Sequence, residues 1–154
     1  MLKKIFLFLV IVFLSSCGYE AIYSKKNSVN YDFSINKLNF IGDRDINLKL
    51  KEKLNNYTLS KRDKNFTLKI FSTSTKTIVA KDTSGDATSF KNIITLNLEV
   101  SMNGKLKNSF MITESFDYNN NYNKFSLKKY EKEIKNNLAE TIAKKLIFRL
   151  SNIQ

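Results

Sequence analysis

The segment ITLNLEVSMNG, residues 94–104, decides the fold of this chain. Apolar side chains occupy every second position of the segment, which is the period of a strand with one buried face; they are Ile94, Leu96, Leu98, Val100 and Met102. Asn103-Gly104 follows at once, and this dipeptide is the preferred one for a tight type I′ hairpin. The segment therefore predicts one strand of an antiparallel sheet and the turn into the next strand.

The neighbouring segments extend this sheet to four strands. Apolar alternation or near-alternation predicts strands over Tyr31 to Phe40, Phe66 to Val79 and Leu106 to Tyr118. In the first strand the apolar phase slips near Asn36-Lys37, which predicts a bulge or a twist. In the last strand Glu114 breaks the apolar phase, and an edge position would accommodate it. The loop Lys81 to Ala87 joins the second strand to the third.

Two segments have the period of a helix. Ile46, Leu50 and Leu54 recur every four residues, and Asp43 or Asp45 can cap this helix. A longer helix is predicted to begin near Ser126. Its apolar stripe holds steps of three and four through Leu127, Tyr130, Ile134, Leu138, Ile142, Leu146 and Leu150. The basic side chains beside this stripe could lie on anionic lipid, but a core-packing helix with a solvated charged face is the commoner arrangement.

The predicted order of elements is β-α-β-β-β-α, which indicates an α+β fold. A four-stranded, mostly antiparallel sheet with two helices on one face is the simplest way to bury both helical stripes. The other sheet face would then be partly apolar and partly basic, which suits an amphiphile or a protein partner.

The first residues, MLKKIFLFLVIVFLSSC, have the layout of a lipoprotein signal peptide. Two lysines precede an apolar run from Ile5 to Leu14, and small serines precede Cys17. This predicts a signal peptide at 1–16, lipidation at Cys17, a tether at 17–30 and one domain at 31–154. An ordinary cleaved signal with an incidental cysteine and an uncleaved anchor helix are the alternatives. The anchor is disfavoured because its apolar run is ten residues long, against about 20 for a membrane-spanning helix.

The charge balance favours an anionic partner. Removal of Lys3 and Lys4 with the signal peptide leaves 24 basic and 14 acidic side chains, a net charge of +10. A surplus of this size attracts anionic lipid, lipopolysaccharide or an acidic protein surface. Nucleic acid is excluded by compartment if the signal is real. The alternative is a composition bias towards lysine, in which many of the charges are only solvated surface.

The residue types needed for most catalysis and metal binding are missing. The chain has no histidine and one cysteine, so the commonest general base and the usual zinc ligands are absent. The acidic residues fall on loops and on opposite strand faces with no defensible pairing. We therefore expect no enzyme activity, no catalytic residues, no metal and no cofactor.

Several short motifs together resemble the LPS-assembly lipoprotein LptE family. They are the lipid-type Cys17-Gly18-Tyr19, the turn Gly85-Asp86-Ala87, the pairs Phe116-Asp117 and Tyr122-Asn123, and Leu138-Ala139 in the last helix. The pattern covers nearly the whole mature chain and is architectural rather than catalytic. Where family members often have a basic residue after an Ala-Thr step, this chain has Ser89-Phe90, with Lys91 next.

The resemblance implies a lipoprotein of the outer membrane, on its periplasmic face. Such a protein plugs the LptD-type β-barrel, helps to assemble it and binds lipopolysaccharide on its way to the outer leaflet. Lys76, Lys81 and Lys91 are the candidate contacts with lipopolysaccharide, because they surround the predicted loop tip and the adjoining strand ends. The alternative is another outer-membrane lipoprotein that serves as accessory subunit of a lipid-transport or barrel-assembly complex.

Overall fold

The structure is a computed structural model that describes residues 31–59 and 62–153. The predicted signal peptide, the tether and Cys17 lie outside the described residues and stay predictions. The elements, in chain order, are β1 (Ser34–Gly42), α1 (Arg44–Thr58), β2 (Asn65–Lys81), β3 (Ala87–Met102), β4 (Lys105–Asn119) and α2 (Lys124–Ser151). Within the described residues, neither helix is long and apolar enough to cross a bilayer.

The four strands form one mixed sheet in the order β1-β2-β3-β4. β1 pairs with β2 in parallel, while β2, β3 and β4 form an antiparallel meander. The parallel pair needs a crossover connection, which α1 supplies. The predicted α+β fold and its order of elements are thus confirmed, and so is the irregularity in β1, where the register shifts between Ile35 and Lys37.

β3 and its hairpin have the predicted geometry. The side chains of Ile94, Leu96, Leu98 and Val100 are at most 1% exposed. Asn103 and Gly104 have φ values of 53° and 75°, and a type I′ turn requires positive φ at both of its central residues. β3 nevertheless begins at Ala87, seven residues before the clear alternation starts, because β2 is also long and pairs with residues 87–93.

The two helices pack together and supply one side of a continuous core. α1 contacts β1, whereas α2 contacts β3 and β4. α1 buries the three residues predicted for it, Ile46, Leu50 and Leu54. Most of the predicted α2 stripe is buried as well, but Tyr130 is 45% exposed. Tyr130 instead meets the ring of Tyr118 edge-on, with centroids 6.1 Å apart.

The structure corrects the predicted N-cap of α2 and gives a partner for Glu114 of β4. The N-cap of α2 is Asn123, whose side chain accepts a hydrogen bond from the Ser126 backbone N–H at 3.0 Å, so Ser126 is not the cap. Glu114 points to the helix side of β4 and forms an ion pair with Lys145 of α2. β4 is an edge strand, as the break in its apolar phase predicted, and Glu114 links this strand to α2 through the ion pair.

Asp43 is both the cap of α1 and an anchor for α2. Its Oδ1 accepts hydrogen bonds from the backbone N–H groups of Asp45 and Ile46. Its Oδ2 lies 2.6 Å from Lys135 Nζ. Burial alone would raise the pKa of the Asp43 carboxyl, but the Lys135 ammonium and the two backbone donors together hold the pKa below its ordinary value of 3.8.

Replacement of Asp43 should therefore have an acid-dependent effect. Asp43→Ala removes cap and ion pair and is expected to cost about 1–2 kcal/mol in the free energy of unfolding. Asp43→Asn keeps a capping oxygen and should cost less. Because the folded-state pKa is lowered, the ionic contribution is present above pH 3.8 and is lost as pH falls through the lower folded value. Urea denaturation at pH 7 and at pH 3 measures this, and an Asp43→Asn deficit that is as large at pH 3 as at pH 7 would contradict it.

Candidate functional site

The β2–β3 hairpin extends beyond the core at one end of the sheet. From Thr73 to Lys81 no side chain of β2 is buried. Near the end of β2 the pairing register shifts around Val79, and such bulges commonly redirect side chains at strand ends. Ile78 and Val79 are 53% and 51% exposed there. The hairpin thus exposes apolar side chains outside the core. Polar side chains would be expected at these positions if the hairpin served only the fold.

The turn of this hairpin is fixed by Asp82. Its Oδ1 accepts hydrogen bonds from the backbone N–H groups of Ser84 and Asp86, each at 2.9 Å. The β4–α2 loop packs against the same hairpin, because Asn120 donates from its side chain to the Ala87 carbonyl at 2.7 Å. The two segments enclose an open cleft of about 610 Å³, lined by Asp82, Asp86, Ala87, Thr88, Phe90, Asn120, Tyr122 and Lys124.

Lys76 joins the hairpin to α2. Its Nζ lies 2.5 Å from Glu131 Oε1 and 3.7 Å from the centre of the Phe90 ring. Glu131 also accepts a hydrogen bond from the Tyr118 hydroxyl at 2.8 Å. Burial of Tyr118, followed by the Glu131 carboxylate, raises the pKa of the Tyr118 hydroxyl well above its ordinary value. Lys76 is therefore engaged in a structural contact, although its side chain stays 41% exposed.

The three lysines named from the sequence do not form one cluster. Lys76 lies opposite Asn92 in the ladder and Thr77 lies opposite Lys91. Successive residues of a strand point to opposite faces, so Lys76 is on the helix side and Lys91 is on the open side. Lys91 Nζ lies 3.5 Å from Asp117 Oδ1. Lys81 is exposed at the end of β2 and has no ion pair among the described residues.

A second group of side chains, which was not among the predicted lipopolysaccharide contacts, lies at the start of α2. Tyr122 is fully exposed and Phe125 is 80% exposed. Lys124, Lys128, Lys129 and Lys132 follow within three turns, all exposed and, among the described residues, all without an ion pair. The first turn of α2 has no acidic residue, although the helix dipole favours negative charge there. That inverted charge pattern was the signal available in the sequence.

We call the exposed part of this end the tip surface. It consists of Ile78, Val79 and Lys81 from the hairpin and Tyr122, Lys124, Phe125 and Lys128 from the start of α2. The first cleft brings the Tyr122 loop beside the hairpin. A second, charged cleft of about 380 Å³ brings Lys128 and Lys132 beside Lys76. The tip surface is thus both apolar and cationic, which is the chemistry that binds an anionic amphiphile.

The described residues contain no group of three or more acidic or sulfur side chains placed to hold a metal ion. Two acidic residues near the tip surface are committed to other contacts, since Asp82 holds the turn and Glu131 holds Lys76 and Tyr118. What the tip surface offers a ligand is the ammonium groups of its lysines and the contact area of its apolar side chains.

Comparison with solved structures shows that this fold occurs in bacterial lipoproteins. The rare lipoprotein B of Shewanella oneidensis matches with a TM-score of 0.55 and 15% identity, over 76% of this chain and 98% of that one. A minor lipoprotein from Acinetobacter baumannii matches with a TM-score of 0.61 and 14% identity, over 79% of this chain and 91% of that one. Lipoprotein B from Nitrosomonas europaea matches with a TM-score of 0.51 and 8% identity, over 79% and 86%.

At these identities the likeness is one of fold. No protein-family model and no curated protein sequence matches the chain. The chain therefore shares the architecture of these lipoproteins over most of its length.

Proposed function

We propose that this chain is an outer-membrane lipoprotein, attached through Cys17 on the periplasmic face, that binds lipopolysaccharide and acts as plug and assembly subunit of an LptD-type β-barrel translocon. In this role it is a non-enzymatic binding protein that helps to insert lipopolysaccharide into the outer leaflet. The observation that carries the proposal is the tip surface, where exposed apolar side chains stand among lysines that have no ion pair with any described residue. The fold shared with bacterial lipoproteins and the lipid-type cysteine support it.

The tip surface has the two kinds of contact that such a ligand requires. Lipopolysaccharide carries phosphate groups beside its acyl chains, and lysine ammonium groups bind phosphate through charge-assisted hydrogen bonds. Ile78, Val79 and Phe125 offer apolar contact within the same surface. Of the lysines named from the sequence, Lys81 is part of this surface, Lys76 borders the charged cleft and Lys91 lies on the open face.

Charge reversal at the tip surface tests the binding role. We expect the double variant Lys124→Glu, Lys128→Glu to weaken lipopolysaccharide binding by roughly ten- to a hundredfold, at about 1 kcal/mol for each lysine near an anionic surface. The matched control is Lys105→Glu, Lys107→Glu at the opposite hairpin, which changes the net charge equally. Titration of the full chain with lipopolysaccharide and with its dephosphorylated form measures the effect. Equal losses in both variants would show that only net charge matters.

The barrel partner has its own test. The anchored chain, isolated in mild detergent from outer membranes of its host, should bring with it one large β-barrel protein in a constant ratio. Cys17→Ser should shift the chain from the membrane to the soluble fraction, since the acyl chains supply the attachment. If no barrel co-isolates while lipopolysaccharide still binds, the accessory-lipoprotein alternative takes precedence over the plug role.

A further inference from the structure

β4 is an edge strand with a free side from Thr113 to Asp117. The Asn120 backbone N–H donates to the Thr88 carbonyl at 2.8 Å, which makes these two residues a hydrogen-bonded pair of the ladder. Such pairs recur at every second residue of an antiparallel ladder. The even-numbered residues of β4 down to the bulge near its start therefore bond to β3. The amides and carbonyls of Thr113, Ser115 and Asp117 point away from the sheet.

A contact at one end of this free side supports the assignment. Arg149 Nη1 donates to the Met111 carbonyl at 3.1 Å, so an odd-numbered carbonyl of β4 faces outward, towards α2. Beside it, Lys145 of α2 pairs with Glu114 of β4. These two links join helix and strand, and they limit the free side at its Met111 end.

Beyond these links, an apolar groove opens between β4 and α2. Its volume is about 240 Å³, and it is lined by Phe116, Tyr130, Glu133, Ile134, Asn137, Leu138 and Thr141. Phe116 and Tyr130 are 46% and 45% exposed at its rim. The groove and the free backbone groups lie side by side, because the side chain of Phe116 points to the helix side while the amides of its two neighbours point outward.

We propose that this edge binds an extended segment of another polypeptide, which adds a fifth strand and places one apolar side chain in the groove. Outward backbone groups at every second residue match an extended peptide, and strand addition beside a helix is an established mode of peptide recognition. Another protein fits better than a second copy, because two mature chains, each of net charge +10 after removal of Lys3 and Lys4, repel each other. The bound segment is uncharged where it faces the groove, because Glu133 is the charged residue of the lining, and it carries acidic rather than basic residues beyond the groove, because the chain is basic. This inference is independent of lipopolysaccharide binding.

A synthetic peptide can test the edge directly. The probe is a nine-residue peptide in which threonine alternates with valine and phenylalanine, with a glutamate at each end. Its control is the same peptide with the alternate backbone nitrogens that face β4 methylated, which removes hydrogen-bond donors and keeps every side chain. Amide hydrogen exchange is measured on the full chain in detergent, with peptide at up to about 1 mM. The amides of Thr113, Ser115 and Asp117 should then exchange at least about fivefold more slowly than without peptide. The methylated peptide should leave them unchanged.

A pair of variants separates backbone from side-chain effects. Ser115→Pro removes one outward donor, and proline is tolerated on an edge strand where the N–H faces solvent. It should weaken the peptide by about fivefold, the value of one net hydrogen bond. Ser115→Ala keeps the amide and should bind as the parent does. If Ser115→Pro does not fold, Phe116→Ala serves instead and should weaken the peptide through loss of the rim of the groove.

Two outcomes would overturn the inference. One is unchanged exchange of the three amides at the highest peptide concentration. The other is protection in the free chain that rises with protein concentration, because the edge would then pair with a second copy.

Discussion

Gly42→Ala should lower the free energy of unfolding by roughly 3 kcal/mol or more. Gly42 ends β1 with a φ of +101°, and a Cβ added there would lie 2.0 Å from the Ser72 carbonyl oxygen. That oxygen cannot move aside easily, because it also accepts the Asp43 backbone N–H at 3.1 Å. Ser72 is itself 1% exposed within β2. An alanine therefore combines backbone strain with a clash that only separation of β1 from β2 can relieve.

Gly85→Ala is the matched control for this effect. Gly85 also has a positive φ, +88°, but an added Cβ would meet no atom within 4 Å. Gly85→Ala should lower the free energy of unfolding only by the cost of holding alanine at a positive φ, about 1–2 kcal/mol. Urea denaturation of both variants, followed by circular dichroism, measures the difference. Equal losses would show that the close approach of Gly42 to Ser72 contributes nothing.

The contrast between these glycines shows what the sequence could predict about the fold. Local sequence patterns predicted the turn at Gly85-Asp86-Ala87 and the hairpin at Asn103-Gly104. The crowding of Gly42 depends on the parallel pairing of Gly42 with Ser72, which joins residues 30 positions apart. The apolar period of a strand can be read from the sequence and shows which side chains share a face. The register between two strands decides which backbone atoms come into contact, and the sequence of either strand does not show it.

The same limit applies to the candidate site. Lys76, Lys81 and Lys91 were grouped because they surround one predicted loop. The ladder places Lys76 opposite Asn92, and that one-residue offset puts Lys91 on the other face. Tyr122 had no strand or stripe to mark it, and its place in the cleft beside the hairpin depends on how the β4–α2 loop packs. Only the lysines at the start of α2 are recognisable as unusual from the sequence, because positive charge is unfavourable at the N-terminal end of the helix dipole.

Leu96→Ala is the second large effect, and it tests the segment on which the fold depends. Leu96 has no exposed surface and lies in the middle of the sheet, between Ser72 of β2 and Ile112 of β4. Loss of the side chain should cost about 3 kcal/mol, within the range of about 2–5 kcal/mol for buried leucines. The cavity cannot collapse readily, because strands on both sides hold the β3 backbone in place.

The control for Leu96→Ala is the next residue of the same strand. Asn97 points to the open face, where its side chain is exposed, so Asn97→Ala should change stability by no more than about 0.5 kcal/mol. Thermal and urea denaturation of the two variants compare the faces of one strand. The tip surface lies beyond the buried part of β2 and β3, so the hairpin depends on this core for its position. Similar losses in both variants would show that burial against the helices contributes no more to the stability of β3 than contacts on the open face do.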